Sequence, residues 1–271
     1  MEKITEDFFE QSGSKIINKE AIKSIAEYLN YIDYLNKKWR NHELWYRGVL
    51  NKDYKLVPSI YRDEIWKYNI TFAYNLFNEF IRPARSFNKD YVNFNKWEWY
   101  QLQQHYGLPT RLLDWTQGSL IALYFSVRKL EHSISPSVWV INPFKLNYIS
   151  IGINKVLYTD KLIQDKDDSI IEKFIYDDKD LQEYPVAILP TYLDNRLSSQ
   201  KSTFTVHGLS RDGIEQFLFK NNKNNVVQLL LDPSQSKIIK DQLSEAGISE
   251  YTLFPDLEGL SRELKYNYRM K

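Results

Sequence analysis

Between residues 101 and 116 the chain reads Gln101-Leu-Gln-Gln104-His105-Tyr106-Gly107-Leu-Pro109-Thr110-Arg111-Leu-Leu-Asp114-Trp115-Thr116, the densest run of ionisable, hydrogen-bonding and stacking side chains in the sequence. His105 offers two ring nitrogens, Tyr106 offers a hydroxyl and a stacking face, and Arg111 offers a fork that fits a carboxylate or a phosphate. Arg111 and Asp114 stand three apart with Leu112 and Leu113 between them. On a helical turn that spacing puts both charges on one side and the leucines toward a core. The run has two readings: a packed turn braced by an ion pair, or the lining of a pocket where these polar groups meet a ligand. Arg47 closes the aromatic segment Trp45-Tyr46-Arg47-Gly48. An arginine among aromatics needs an anion, either a protein carboxylate such as Glu43 or Asp114 or the phosphate of a ligand. Arg196 and Gln200, just before the alternating run Thr203 to His207, are placed to face a pocket.

The elements that must position these groups follow from periodicity. The run from Asn95 predicts a short helix stopped by Gly107 and Pro109, with His105 and Tyr106 at its end. Ile22, Ile25, Leu29 and Ile32 recur at spacings of three and four and predict an amphipathic helix over Asn18 to Trp39. Trp45 to Gly48 reads as a strand ending in a glycine turn. Phe72, Leu76, Phe80 and Ile81 predict a helix over Thr71 to Phe87, with Glu79 and Arg82 as a solvated pair. Ser119 to Leu130 is apolar on all sides, a buried helix packed directly behind the Arg111 to Thr116 turn. Ser137 to Asn142, Pro185 to Leu189, Thr203 to His207 and Val226 to Leu231 read as strands. Asp232-Pro233 opens a helix that stops at Gly247, and Thr252 to Asp256 leads into a last helix. Helices and short strands interleave, so the class is α+β, a small mixed sheet packed with several helices.

Composition sets the outer limits. The 271 residues are 43% hydrophobic, enough for a substantial core. With 36 basic and 35 acidic residues the net charge is +1, so no global field announces nucleic acid. Locally, Lys37 to Arg111 holds thirteen basic and seven acidic residues, and Asp160 to Glu183 nine acidic and four basic. The latter lies in a peripheral, insertion-like segment over 143–184 that reads as wet surface. The absence of cysteine removes disulfides, thiolate catalysis and cysteine-bound zinc. His42, His105, His132 and His207 are widely spaced, which argues against a metal site. No long apolar run or secretion signal occurs, so a cytoplasmic protein without membrane contact is expected. The 15% aromatic content reads first as core packing.

Trp45-Tyr46-Arg47-Gly48, Pro58-Ser-Ile-Tyr61-Arg62, Gln104 to Thr116, Ala122-Leu-Tyr124-Phe125 and Thr252-Leu-Phe-Pro-Asp-Leu-Glu-Gly259 together resemble the FRG domain, named for its aromatic-Arg-Gly motif. The resemblance runs from about residue 43 to residue 264, leaving 1–42 as an N-terminal helical extension and 265–271 as a basic tail. Lys201-Ser202 departs from it, standing where a Gln-Gly-like pair is expected. The resemblance implies a bacterial or phage-related setting, with a role in toxicity or phage defence and an antitoxin or defence partner. A fold-level analogy to ADP-ribosyltransferases extends it. That analogy implies NAD as the bound nucleotide, Arg47, Gly48, Arg111 and Arg196 on phosphates, Tyr106 or Tyr124 holding the nicotinamide, and His105 with Tyr106 around the nicotinamide ribose. Asp114, with Gln200 nearby, would act on the developing charge, while Glu79, Glu98 and Glu215 stay open as alternative carboxylates. The acceptor would be a protein or a nucleic acid. Two rivals stand beside this reading: a non-catalytic module binding a nucleotide or nucleic acid through residues 37–111, and a toxin acting by protein contact alone.

Overall fold

The computed structural model describes residues 3–40, 43–62, 70–129, 135–160, 162–163, 165–174, 182–221 and 225–270. In chain order the elements are β1 (Phe9–Ser12), β2 (Lys15–Asn18), α1 (Ile25–Lys38), β3 (Trp45–Val49), α2 (Ile70–Ala84), α3 (Lys96–His105), β4 (Leu112–Thr116), α4 (Ser119–Val127), β5 (Ser137–Ile141) and α5 (Pro143–Ile151). They continue with β6 (Leu157–Tyr158), β7 (Val186–Leu189), α6 (Asn195–Ser199), β8 (Ser202–Val206), α7 (Ile214–Asn221), β9 (Val226–Leu230), α8 (Ser236–Glu245), α9 (Glu250–Leu253) and α10 (Leu257–Asn267). The protein is α+β. Its strands form one nine-stranded sheet among the described residues, in the order β1-β2-β9-β5-β3-β4-β8-β7-β6. Pairing is antiparallel except between β2 and β9 and between β6 and β7. No helix among the described residues is long and apolar enough to cross a membrane.

The sheet's two central strands barely touch. β3 lies along β5 over five residues and β4 along β8 over five, but β3 and β4 share a single register position, Tyr46 opposite Thr116. On one face this divergence separates two cores. Tyr46, Val138, Val140, Val227 and Leu229 pack under α1, α4 and α8; Leu112, Phe204, Val206, Val186 and Ile188 pack under α2 and α3. The opposite face carries one continuous core of Trp45, Leu113, Trp115, Trp139, Ile141 and Val226 against α5 and α7.

Three expectations change, and a fourth, the glycine turn expected at Gly48, gives way to a strand that continues through Gly48 to Val49. The helical turn expected over Arg111 to Asp114 is strand β4. Leu112 is 2% and Leu113 1% exposed because the sheet is covered on both faces, a burial that mimics a helix-facing pair. Asp114 therefore lies within an extended strand that Arg111 immediately precedes, and the two do not share a helical face. Helix α1 begins at Ile25, capped by the Ser24 side chain, which accepts from the Glu27 amide. Asn18, its expected start, ends β2 and ties that strand to β9, its amide bonding both ways with Leu230. α4 is buried as expected but lies chiefly on β3 rather than behind β4. A Cβ on Gly48 would stand 1.9 Å from the Ala122 carbonyl oxygen of α4, so only glycine permits that approach.

The 143–184 segment supplies α5 and edge strand β6 and buries Leu157, Ile171 and Phe174 completely. The expected helix stripe on α2 holds for Phe80 and Ile81, which pack against the core. Phe72's side chain lies outside the described residues, as do His42 and His132.

Candidate functional site

A cavity of about 460 Å³ opens over the gap between β3 and β4, walled by α3, α4 and α6. Its geometry begins with α3. Asn95 caps the helix reciprocally: its side chain accepts from the Glu98 amide at 3.0 Å, and Glu98 accepts from the Asn95 amide at 2.6 Å. Gly107, at φ 81°, then turns the chain out of the helix. Along α3, Gln101, Gln104 and His105 repeat at three and four and line the cavity together.

The motif's polar residues form one network. Gln104 donates from Nε2 to Asp114 Oδ1 at 2.7 Å, and the Thr110 hydroxyl donates to Gln104 Oε1. Arg47 reaches across the gap, donating to the Asp114 backbone carbonyl at 2.5 Å and standing 3.6 Å from Asp114 Oδ2. The diverging strand would leave that carbonyl unpaired, and Arg47 satisfies it. Burial depresses the Arg47 pKa from its usual value while Asp114 works to keep the charge. Asp114 itself remains open to the cavity, its side chain 61% exposed. A carboxylate has about four acceptor positions, so this one is oriented on both oxygens and still has lone pairs to offer.

The mouth is crossed by His105, whose Nδ1 lies 3.4 Å from Asp194 Oδ2. Asp194 also caps α6 through the Leu197 amide at 2.8 Å, so the end of α3 and the start of α6 are tied. The wall behind α6 comes from α9 and the turn after it. Leu253's carbonyl accepts from Gln200 Nε2 at 2.9 Å and from Ser199 Oγ at 3.1 Å. Lys201, where a Gln-Gly-like pair was expected, takes the left-handed conformation at φ 45°, one that favours glycine.

Positive charge gathers at this side. Arg128 and Arg262 both bond Glu250, at 2.5 and 2.9 Å. Burial works to raise the Glu250 pKa, but those two guanidiniums hold it below its usual value. Arg196 lies 4.7 Å from the centroid of Phe254. Neither Arg196 nor Lys129 has a carboxylate partner among the described residues.

Of the residues singled out in the sequence, Arg47, Gly48, His105, Asp114, Arg196 and Gln200 line this cavity, and Arg111, Tyr106 and Tyr124 do not. Arg111 is buried away from the cavity, donating to the Phe174 carbonyl. Tyr106 is 64% exposed against Phe80. Tyr124 is buried beside Glu250 under α10, where burial and that carboxylate push its pKa up. Among the open carboxylates, Glu98 serves the α3 cap, and buried Glu215 accepts from the Leu56 amide at 3.1 Å, with burial raising its pKa. Glu79 is exposed on α2. None of the three lines the cavity.

The family model for the FRG domain matches residues 42–134. The chain carries an FRG domain. The matched stretch runs from β3 to the end of α4, so the FRG segment supplies both walls of the β3/β4 gap, together with Arg47, Gln104, His105 and Asp114. No curated protein and no solved structure matches the chain. The cavity also draws on residues outside the FRG match, among them Asp194, Arg196, Gln200 and Ser202. Gln101 and Gln104 had a signal in sequence, since their spacing to His105 puts them on one helical face. Asp194 had none, because α6 is brought to α3 only by the fold.

Proposed function

We propose that the cavity binds an anionic nucleotide and that the protein uses NAD, as an ADP-ribosyltransferase or NAD glycohydrolase. The observation that carries this reading is a carboxylate, Asp114, fixed by Arg47 and Gln104 yet open to a cavity of about 460 Å³ whose lining includes the cations Arg196 and Lys129, neither with a carboxylate partner among the described residues. The volume falls in the range of small-molecule sites, about 300–1,000 Å³. Phosphates would lie on Arg196 and Lys129 rather than on Arg47, whose guanidinium is engaged with Asp114. In the reaction the C–N bond between ribose and nicotinamide breaks, and nicotinamide leaves with the bonding pair. The oxygen of water or of an acceptor adds to the ribose carbon and loses its proton. Positive charge grows on the ribose as the bond breaks, and the Asp114 carboxylate stabilises it. A preorganised group of that kind contributes about 3 kcal/mol.

A cytoplasmic role in toxicity or phage defence, with a protein or nucleic-acid acceptor and an antitoxin or defence partner, belongs to the same reading. The test is release of nicotinamide from NAD. Asp114→Asn keeps the acceptor oxygen for Gln104 while removing the charge, and is expected to lower turnover by about 10²–10³-fold with NAD affinity little changed. Arg196→Ala is expected to weaken NAD binding. Binding without nicotinamide release in the wild type would instead indicate a non-catalytic nucleotide module, and no binding at all would end the reading.

A further inference from the structure

Gln101 is the cavity's polar side chain for which the protein has no use of its own. It is 4% exposed on the cavity wall, and neither its amide nitrogen nor its amide oxygen has a hydrogen-bond partner among the described residues. Buried polar groups are nearly always bonded, and an apolar side chain of the same shape would avoid the desolvation cost. The same cavity wall carries the apolar side chains Leu102, Leu197 and Phe204. A buried amide is strongly selective, because any guest that fails to meet both of its atoms leaves them unpaired. Gln104, one turn further along α3, is already committed to Thr110 and Asp114.

We infer that Gln101 is the specificity-determining residue of this site, pairing through both amide atoms with a planar ligand group that presents a donor and an acceptor side by side. The inference rests on the nucleotide reading above. NAD carries two such edges, the carboxamide of nicotinamide and the amino and ring-nitrogen edge of adenine. Helix geometry selects between them. Gln101 sits one turn, about 5 Å of rise, from the residue that holds Asp114, so a nicotinamide seated on Gln101 brings its glycosidic bond toward that carboxylate. An adenine seated there would put the reacting bond at the far end of the ligand.

The experiment is calorimetric titration of the wild type and Gln101→Leu with NAD, with NAD bearing nicotinic acid in place of nicotinamide, and with NAD bearing unsubstituted purine, which lacks the amino donor, in place of adenine. The wild type is expected to prefer NAD over the nicotinic acid form by about tenfold or more. Gln101→Leu is expected to lose that preference, with purine-bearing NAD bound like NAD by both proteins. Preference lost only against the purine form overturns the nicotinamide assignment. Equal ratios in the two proteins overturn the role of Gln101 while leaving the nucleotide site standing, and absence of all binding overturns both. A readout independent of ligand accompanies this. The melting temperature of Gln101→Leu is expected to equal or exceed that of the wild type, whereas a fall would mean that the amide serves the fold and would overturn the inference.

Discussion

His207 follows β8 with its backbone amide on the Arg111 carbonyl at 2.9 Å, while both ring nitrogens lack partners among the described residues. Burial, and after it the nearby Arg47 charge, depress its pKa from 6.5 to about 3. Above pH 6.5 the ring is neutral both folded and unfolded, and stability is unaffected by it. As pH falls from 6.5 toward 3 the unfolded chain takes up a proton that the folded chain refuses, and stability is lost. The slope approaches about 1.4 kcal/mol per pH unit. His207→Leu is therefore expected to lose about 2 kcal/mol less than the wild type between pH 7 and pH 5, measured by urea unfolding at each pH. Parallel losses would mean that the ring is not held neutral. The same neighbourhood explains what was legible residue by residue. An arginine in an aromatic strand requires an anion, and the sequence leaves Glu43, Asp114 and a phosphate open. The fold supplies Asp114. Sequence gave no means of choosing, because the two strands meet only through the way the sheet divides.

At the level of elements, the Gly of the aromatic-Arg-Gly motif has a structural task. Gly48 faces α4 across a separation that admits no Cβ, with Ala122 O at 1.9 Å and Ser126 N at 2.7 Å from the position it would take. Both are backbone atoms, so neither can swing aside. Gly48→Ala is expected to lift α4 from β3 at a cost of about 2–3 kcal/mol, lowering the melting temperature by roughly 5–10 °C in a calorimetric scan. An unchanged scan would show that the helix yields freely. Other elements differ in how plainly the sequence declares them. Helix α3 announces both ends, through the Asn95–Glu98 cap and Gly107. Strand β4 does not. Its Leu112 and Leu113 are buried on opposite faces, which erases the alternation that distinguishes a half-exposed strand, and Arg111 and Asp114 imitate a helical pair. The four-residue strands β1 and β2 carry too little pattern to be separated from the helix that follows.

For the molecule as a whole, the family match and the folding unit have different extents. Residues 42–134 include β3 and β4 but none of the strands that lie along them: β5 beside β3, and β8 beside β4, come later in the chain. Between themselves the two matched strands hold only Tyr46 opposite Thr116. A fragment of residues 42–134 is therefore expected to lack cooperative unfolding and dispersed amide resonances, whereas the 271-residue chain shows both. A folded fragment would mean that β3 and β4 can pair directly. The shared gap has a further consequence for descent. Kinship is written into the hub of this sheet, while what lets the hub stand is written in its flanks. Any chain that keeps β3 and β4 in this arrangement must lay a further strand beside each of them, because the two meet at one register position and cannot satisfy each other's backbone.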